Sequence, residues 1–219
     1  MNDTMSVLKE FFEMPAEDKA SLYSEDLEKR CRLYTSGLYY SKEKVHLWRD
    51  SLRHSCHPLE ECMKFWPEKP TSYRQALHSL IDGVYELVLI NYHFSYSFPF
   101  RSSIDNSLLN YREVVATYSV EAKKLGLRIL ELLSEGLGLE SGYFGSKLTE
   151  AQLLVVNHYP PRPDPSLTLG IPKHCDPNLI TILLQGDVHG LQVFKDGEWI
   201  GVEPLPNAFV VNIGHQLQV

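Results

Sequence analysis

Residues 153–200, LLVVNHYPPRPDPSLTLGIPKHCDPNLITILLQGDVHGLQVFKDGEWI, decide how this chain folds. The stretch breaks into short apolar runs of strand length, Leu153 to Tyr159, Leu179 to Gln185, Leu191 to Phe194 and Glu198 to Val202, set apart by Pro, Gly and Asp. A further run, Ala208 to Ile213, follows. Asp196-Gly197 suits a hairpin turn, because both residues tolerate the positive φ that a tight turn requires. No βαβ alternation is present, and closely spaced strands with Gly and Pro turns point to a double-sheet jelly roll rather than a parallel sheet.

Upstream the texture is helical. Asn2, Asp3 and Thr4 are predicted to cap a first helix carrying Val7, Leu8, Phe11 and Phe12, and Pro15 suits the first turn of a second. Scattered aromatic and β-branched residues from Leu33 to Cys62 predict a strand near Gly37 to Tyr40 and another around His46 to Leu52. Residues Tyr111 to Leu139 have the clearest helical period, through Val115, Tyr118, Leu125, Ile129, Leu132 and Leu133, and Gly136 and Gly138 end it. The fold class is therefore α+β, with an N-terminal helical region over 1–145 and a jelly-roll region over 146–219.

One segment breaks this order. Residues 76–110 are rich in Tyr, Phe and Ser, and the dipeptide Tyr-Arg stands at both borders, as Tyr73-Arg74 and Tyr111-Arg112. The repeat has the look of a seam: deleting 75–112 would join Arg74 directly to Glu113, and the segment reads as an insertion, either retained intron sequence or a gene-model error. Its uncharged run, Leu87 to Phe100, is too short to span a bilayer.

With 219 residues and 43% hydrophobic content, the chain can build one sizeable core. A net charge of −7 argues against nucleic-acid binding, which needs clustered Lys and Arg. The polar, acidic start MNDTMSVLKEFF lacks the pattern of a secretory signal, so the expected location is cytoplasmic, with no membrane partner. Cys31, Cys56, Cys62 and Cys175 show no framework spacing and are expected to be thiols.

His174-Cys175-Asp176 carries the chemistry. Side chains one residue apart on an extended strand point the same way, so His174 and Asp176 can share a cation while Cys175 faces the opposite side and is buried. One imidazole and one carboxylate suit Fe(II), and a second His would complete a facial triad. His54, Cys56 and His57 lie close in sequence but lack a matching pair for zinc. His189 and His215 are expected at the surface, and the Leu-rich helix is expected to turn its stripe to the sheet.

The surroundings of this pair are Asn157-His158-Tyr159-Pro160-Pro161, the Pro163 to Pro165 loop, His174-Cys175-Asp176-Pro177-Asn178, the strand to Gln185, and Gly190-Leu191-Gln192-Val193-Phe194 before Trp199. Here the chain resembles the plant 2-oxoglutarate and Fe(II)-dependent dioxygenases of specialised and hormone metabolism. Phe11-Phe12 with Pro15, Trp48-Arg49-Asp50, Cys56-His57-Pro58-Leu59 and Trp66-Pro67-Glu68 give it the look of the hyoscyamine 6-dioxygenase-like group. The resemblance implies His174 and Asp176 as iron ligands, Asn157 and Tyr159 as contacts to 2-oxoglutarate, no catalytic residue beyond the ligands, and ascorbate as an accessory reductant. It implies O2 and a small apolar metabolite as reactants, and a monomer.

The same resemblance places the third ligand, a His, and the Arg and Ser that bind the far carboxylate, beyond Val219. It also places an opening helix and strand before Met1, so the chain is expected to be truncated at both ends. Two alternatives stay open: a truncated, catalytically inactive product, and a cupin-like metal-binding module, which the lack of a second His and Glu clustered near His174 disfavours.

Overall fold

The structure is a computed structural model that describes residues 1–37, 40–70, 84–91, 110–161, 164 and 168–218, with 84–91 and 146–147 described by backbone alone. Helix α1 (Asn2–Glu13) buries Thr4, Val7, Leu8, Phe11 and Phe12, a stripe at three- and four-residue steps. Its N-cap is Met1 and no side chain caps it, so Asn2, Asp3 and Thr4 lie inside the helix instead of ahead of it. The burial of Thr4 beside Val7 and Leu8 draws the helix one turn closer to the chain start than capping chemistry predicts. Helix α2 (Ala16–Lys19) follows, with Pro15 as its N-cap.

Strands β1 (Cys31–Thr35) and β2 (Asp50–Ser55) form an antiparallel pair in which Leu33 faces Leu52. The first lies away from its predicted position and the second overlaps its own only at Asp50 to Leu52. β1 precedes Gly37, Tyr40 begins a 3-10 turn, and β2 starts near the end of the predicted run. Aromatic and β-branched content misled the reading, because Arg32 and Ser51, polar yet buried, belong to these strands. The short helix α3 (Leu59–Cys62) leads to Trp66, whose indole donates to the Ser55 carbonyl at 2.8 Å.

Helix α4 (Tyr111–Gly136) begins with a full capping box: Asn110 accepts from the Glu113 amide, and Glu113 accepts from the Asn110 amide. It buries Tyr111, Val114, Val115, Tyr118, Ala122 and Leu130, but Leu125 and Leu132 stay exposed. The predicted stripe thus drifts off the packed face in its second half. There Gly126, Leu130 and Ser134 line that face.

Strands β3 (Val84–Asn91), β4 (Gln152–Tyr159), β5 (Ile180–Gln185) and β8 (Val210–Ile213) complete one six-stranded antiparallel sheet in the order β1-β2-β4-β3-β5-β8. A separate hairpin pairs β6 (Gln192–Lys195) with β7 (Glu198–Gly201) across Asp196-Gly197, both at positive φ as expected. The four strands predicted from Leu153 onward, and the one ending at Ile213, lie within two residues of those observed.

Strand β3 belongs to the segment read as an insertion, and it stands between β4 and β5. Its register sets Leu87 beside Val156 and Leu184, and Leu89 beside Leu154 and Ile182, all four partners being buried. The segment's flanks meet. The Tyr111 amide donates to the Pro70 carbonyl at 3.2 Å, so the chain leaves and re-enters the scaffold at one point.

The core joins α1, α4 and one sheet face through Phe11, Tyr111, Leu33, Leu52, Leu154 and Ile182. Fully buried within it, His54 bonds the Tyr111 hydroxyl through Nε2 at 2.9 Å and lies 4.4 Å from the Trp66 ring. Burial pushes its pKa down to about 3, against a weaker opposing effect of the Ser55 carbonyl. The folded chain therefore keeps His54 neutral while the unfolded chain protonates it near its ordinary value of about 6.5. Its stabilising contribution is complete above pH ~6.5 and falls as pH drops toward about 3, at a slope approaching 1.4 kcal/mol per pH unit, roughly. Urea unfolding of the wild type and His54→Gln between pH 7 and 4.5 is expected to show a shallower acid decline in the variant; equal slopes would refute this.

Candidate active site

The loop 168–179 carries His174 and Asp176, and the end of β8 reaches it through the His215 amide and Asn212. These two residues lie in an irregular loop and not on the strand expected for them. Pro172 and Pro177 cannot donate ladder hydrogen bonds, so the strand starts only at Ile180. The expected pairing is nonetheless present. His174 Nε2 lies 3.4 Å from Asp176 Oδ1. Cys175 between them is exposed, contrary to the prediction of a buried thiol, because the alternation that would have turned it inward applies to strands alone.

A backbone contact selects the histidine tautomer. His174 Nδ1 bonds the Pro172 carbonyl at 2.9 Å, and since a carbonyl only accepts, the proton sits on Nδ1 and the Nε2 lone pair turns toward the carboxylate. Two acceptors face to face at this distance call for a proton or a cation between them. The His174 pKa is raised, first by the hydrogen bond to Asp176 and further by the Pro172 carbonyl, against burial and the positive charge of Arg49. The Asp176 carboxyl is held below its ordinary range, first by the hydrogen bond to His174 and then by those to Thr181 and Asn212, against burial.

Thr181 and Asn212 are site residues that the sequence reading missed, and they face each other across β5 and β8. Buried Asn178 fixes the Thr181 hydroxyl: its Nδ2 donates to Thr181 Oγ1 at 2.9 Å and to the Ile180 carbonyl at 3.0 Å. With its oxygen engaged as acceptor, the threonine has its proton for the carboxylate. A lone polar residue in the apolar run Leu179 to Gln185 was the signal available for Thr181.

The loop is also strapped from β8. Gly214 N donates to Leu179 O at 2.7 Å, His215 N to Asp176 O at 2.7 Å and Gln216 N to Asn178 O at 3.2 Å. His215 itself is exposed, as predicted, and its Nδ1 pairs with Gln218. His189, also exposed as predicted, lies 3.5 Å from Glu203.

Asn157 and Tyr159 stand at the end of β4. Asn157 is buried and its Oδ1 is taken by Ser51 Oγ at 2.7 Å and Arg49 Nη1 at 3.3 Å. The Tyr159 ring packs on Gly170, where an added Cβ would come within 2.9 Å of Cε1. Among the described residues no group of three His, Cys, Asp or Glu is placed to hold a metal, and this covers His54, Cys56 and His57 as well. One imidazole and one carboxylate, pre-oriented by the Pro172 carbonyl and Thr181, fit in kind a divalent iron's preference for N and O donors.

A Cβ at Gly214 would fall 2.0 Å from the Asn178 carbonyl oxygen and 2.3 Å from Oδ1. Gly214→Ala is therefore expected to push the strap off the loop and cost about 1–3 kcal/mol of stability. Thr181→Val, close in volume, is expected to leave the melting temperature within a few degrees yet raise the apparent pKa of Asp176. Calorimetry and side-chain NMR would check both; an unshifted Asp176 in Thr181→Val would exclude the hydrogen bond.

No helix among the described residues is long and apolar enough to cross a membrane. Residues 1–69 match the model for the non-haem dioxygenase in morphine synthesis N-terminal region, and residues 150–219 match that of the 2OG-Fe(II) oxygenase superfamily. The chain is 42% identical over 230 residues to hyoscyamine 6-dioxygenase of Hyoscyamus niger, covering 100% of this chain and 56% of that protein. It is 43% identical to flavanone 3-dioxygenase 2 of Oryza sativa subsp. japonica, over 98% of this chain and 52% of the relative. It is 36% identical to "Putative inactive flavonol synthase 2" of Arabidopsis thaliana, over 95% of this chain and 69% of the relative. The chain thus spans about half the length of the first two. The crystal structure of "a putative 2OG-Fe(II) oxygenase family protein" from Caulobacter crescentus shares the fold, with a TM-score of 0.61, 21% identity, and coverage of 97% of this chain and 60% of that one. By sequence, the chain belongs to the 2OG-Fe(II) oxygenase superfamily, whose members use Fe(II) and 2-oxoglutarate.

Proposed function

We propose that this chain is part of an Fe(II)- and 2-oxoglutarate-dependent dioxygenase that hydroxylates or oxidises a small plant specialised metabolite or hormone. The observation that carries the reading is the proximity of His174 Nε2 and Asp176 Oδ1, 3.4 Å apart, with His174 Nδ1 held by the Pro172 carbonyl so that Nε2 is the nitrogen left for a cation. His174 and Asp176 would hold Fe(II), and the six-stranded sheet with its hairpin would form part of a double-stranded β-helix. Fe(II) with 2-oxoglutarate supplies, when bound, an oxygen-activating power that protein side chains lack. The chain's own task is geometric. Pro172 and Thr181 orient the ligands, and Tyr159 stands on Gly170 at the rim, where its hydroxyl suits a carboxylate of the co-substrate.

Asn157, with its carbonyl oxygen engaged by Ser51 and Arg49, supports a positioning role in that pocket in place of a direct contact through Oδ1. Anaerobic addition of Fe(II) and 2-oxoglutarate to a chain extended to the length of its relatives is expected to raise the visible charge-transfer band of the chelate. His174→Ala and Asp176→Ala should each abolish it. The 219-residue chain is expected to give no band, since its described residues contribute two donors and not three. Absence of the band from the extended chain would remove the assignment.

We also propose that the segment first bounded at 75–112 is an insertion into the family scaffold. It lies in the stretch between the two family matches. Because Tyr-Arg is repeated, a cut at 73–110 yields the same product and keeps Tyr111 in the core. Ser72 would then precede Tyr111-Arg112-Glu113, restoring the Ser-x-x-Glu form of the capping box, and the Pro70 to Tyr111 hydrogen bond would become that of a four-residue turn. The excised chain is expected to retain the helical signal of α4, while amide protection in β4 and β5 drops with the loss of β3. Within it Ser72→Ala should cost about 1 kcal/mol; a collapse of the helical signal on excision would refute the proposal.

A further inference from the structure

Arg49 sits one residue ahead of β2 and is braced on two sides. Its Nε donates to the Ser36 carbonyl at 3.1 Å and its Nη1 to Asn157 Oδ1 at 3.3 Å. The Asn157 oxygen is itself pinned by Ser51 Oγ at 2.7 Å, and Ser36, Ser51 and Asn157 are all buried. Trp48 fixes the same turn from the other side. Its amide donates to Leu169 O and its indole to Pro160 O, both at 2.8 Å, which ties the start of β2 to two points between Tyr159 and His174.

The result is a half-buried guanidinium held beside the ligand loop by neutral acceptors only. Among the described residues no carboxylate lies within salt-bridge distance of it. A guanidinium taken partly out of water, oriented by three buried residues and left without an acid, has the form of an anion subsite, because its unused fork edge matches a carboxylate.

We propose that Arg49 is a carboxylate-binding residue of the pocket beside His174, with Asn157 and Ser51 as the residues that aim it. The inference rests on the reading of Asn157, Tyr159, His174 and Asp176 as residues of the reactant site. The ligand chemistry is an organic carboxylate, whose source is either 2-oxoglutarate or an acidic substrate. Asn157 acts through Arg49, which explains a buried amide whose oxygen is turned away from any ligand.

The test uses the metal-free 219-residue chain with 2-oxoglutarate and, separately, cinnamate as probes. NMR of the Arg49 Nε–H resonance and calorimetric affinities are the readouts. One probe is expected to shift that resonance and to bind about tenfold or more weakly to Arg49→Gln, with partial recovery in Arg49→Lys. A response to 2-oxoglutarate identifies the co-substrate as the source, and a response to cinnamate alone identifies the substrate. If neither probe shifts the resonance of the wild type, the proposal is overturned, and no variant needs to fold for that result. Co(II) binding that survives His174→Ala would instead refute the proposed metal site while leaving an Arg49 response intact, so the two failures are distinguishable.

Discussion

The hydrogen bond from the His215 amide to the Asp176 carbonyl, with its neighbour from Gly214 to Leu179, is the constraint on which the site depends. Residues 171–179 have no ladder of their own, and two prolines deny them one. A loop of that kind holds a side chain in place only if another element supplies its backbone partners. The end of β8 does so, and the absence of a side chain at Gly214 allows the two backbones to meet. Asn178, Thr181 and Asn212 then carry the order of the backbone into the carboxylate itself.

Strand β4 has the matching role on the other side. It pairs β2 along one edge and β3 along the other, so Arg49 and Asn157, more than a hundred residues apart in sequence, meet through the Ser51 to Asn157 register. The buried rows Leu52, Leu154, Val156 and Ile182 keep that register fixed, since a slip of one residue would turn apolar side chains outward across the sheet. Packing beneath the sheet, on Phe11 and Tyr111, thus determines what stands at its functional end.

Much of this was legible beforehand, for reasons tied to residue type. The strands from Leu153 onward announce themselves as apolar runs between Gly, Pro and Asp, and the closeness of His174 to Asp176 follows from their spacing of two residues. Position-dependent features were not. Strand β1 hides behind a buried arginine, Cys175 followed strand alternation that its loop does not have, and the cap predicted from Asn2 was displaced by the burial of Thr4. Thr181, Asn212 and Gly214 owe their roles to contacts between strands about thirty residues apart, which no local pattern encodes. Arg49 was visible only as part of a familiar triplet.

The meeting of Pro70 with Tyr111 has a consequence for how freely this chain can vary. A loop whose ends already touch has its closure geometry set by the scaffold, and the entropic penalty for lengthening it grows only with the logarithm of its length, about 0.6 kcal/mol per doubling. The junction before α4 is therefore a port at which sequence of almost any length can be gained or lost in evolution without moving the helix that follows.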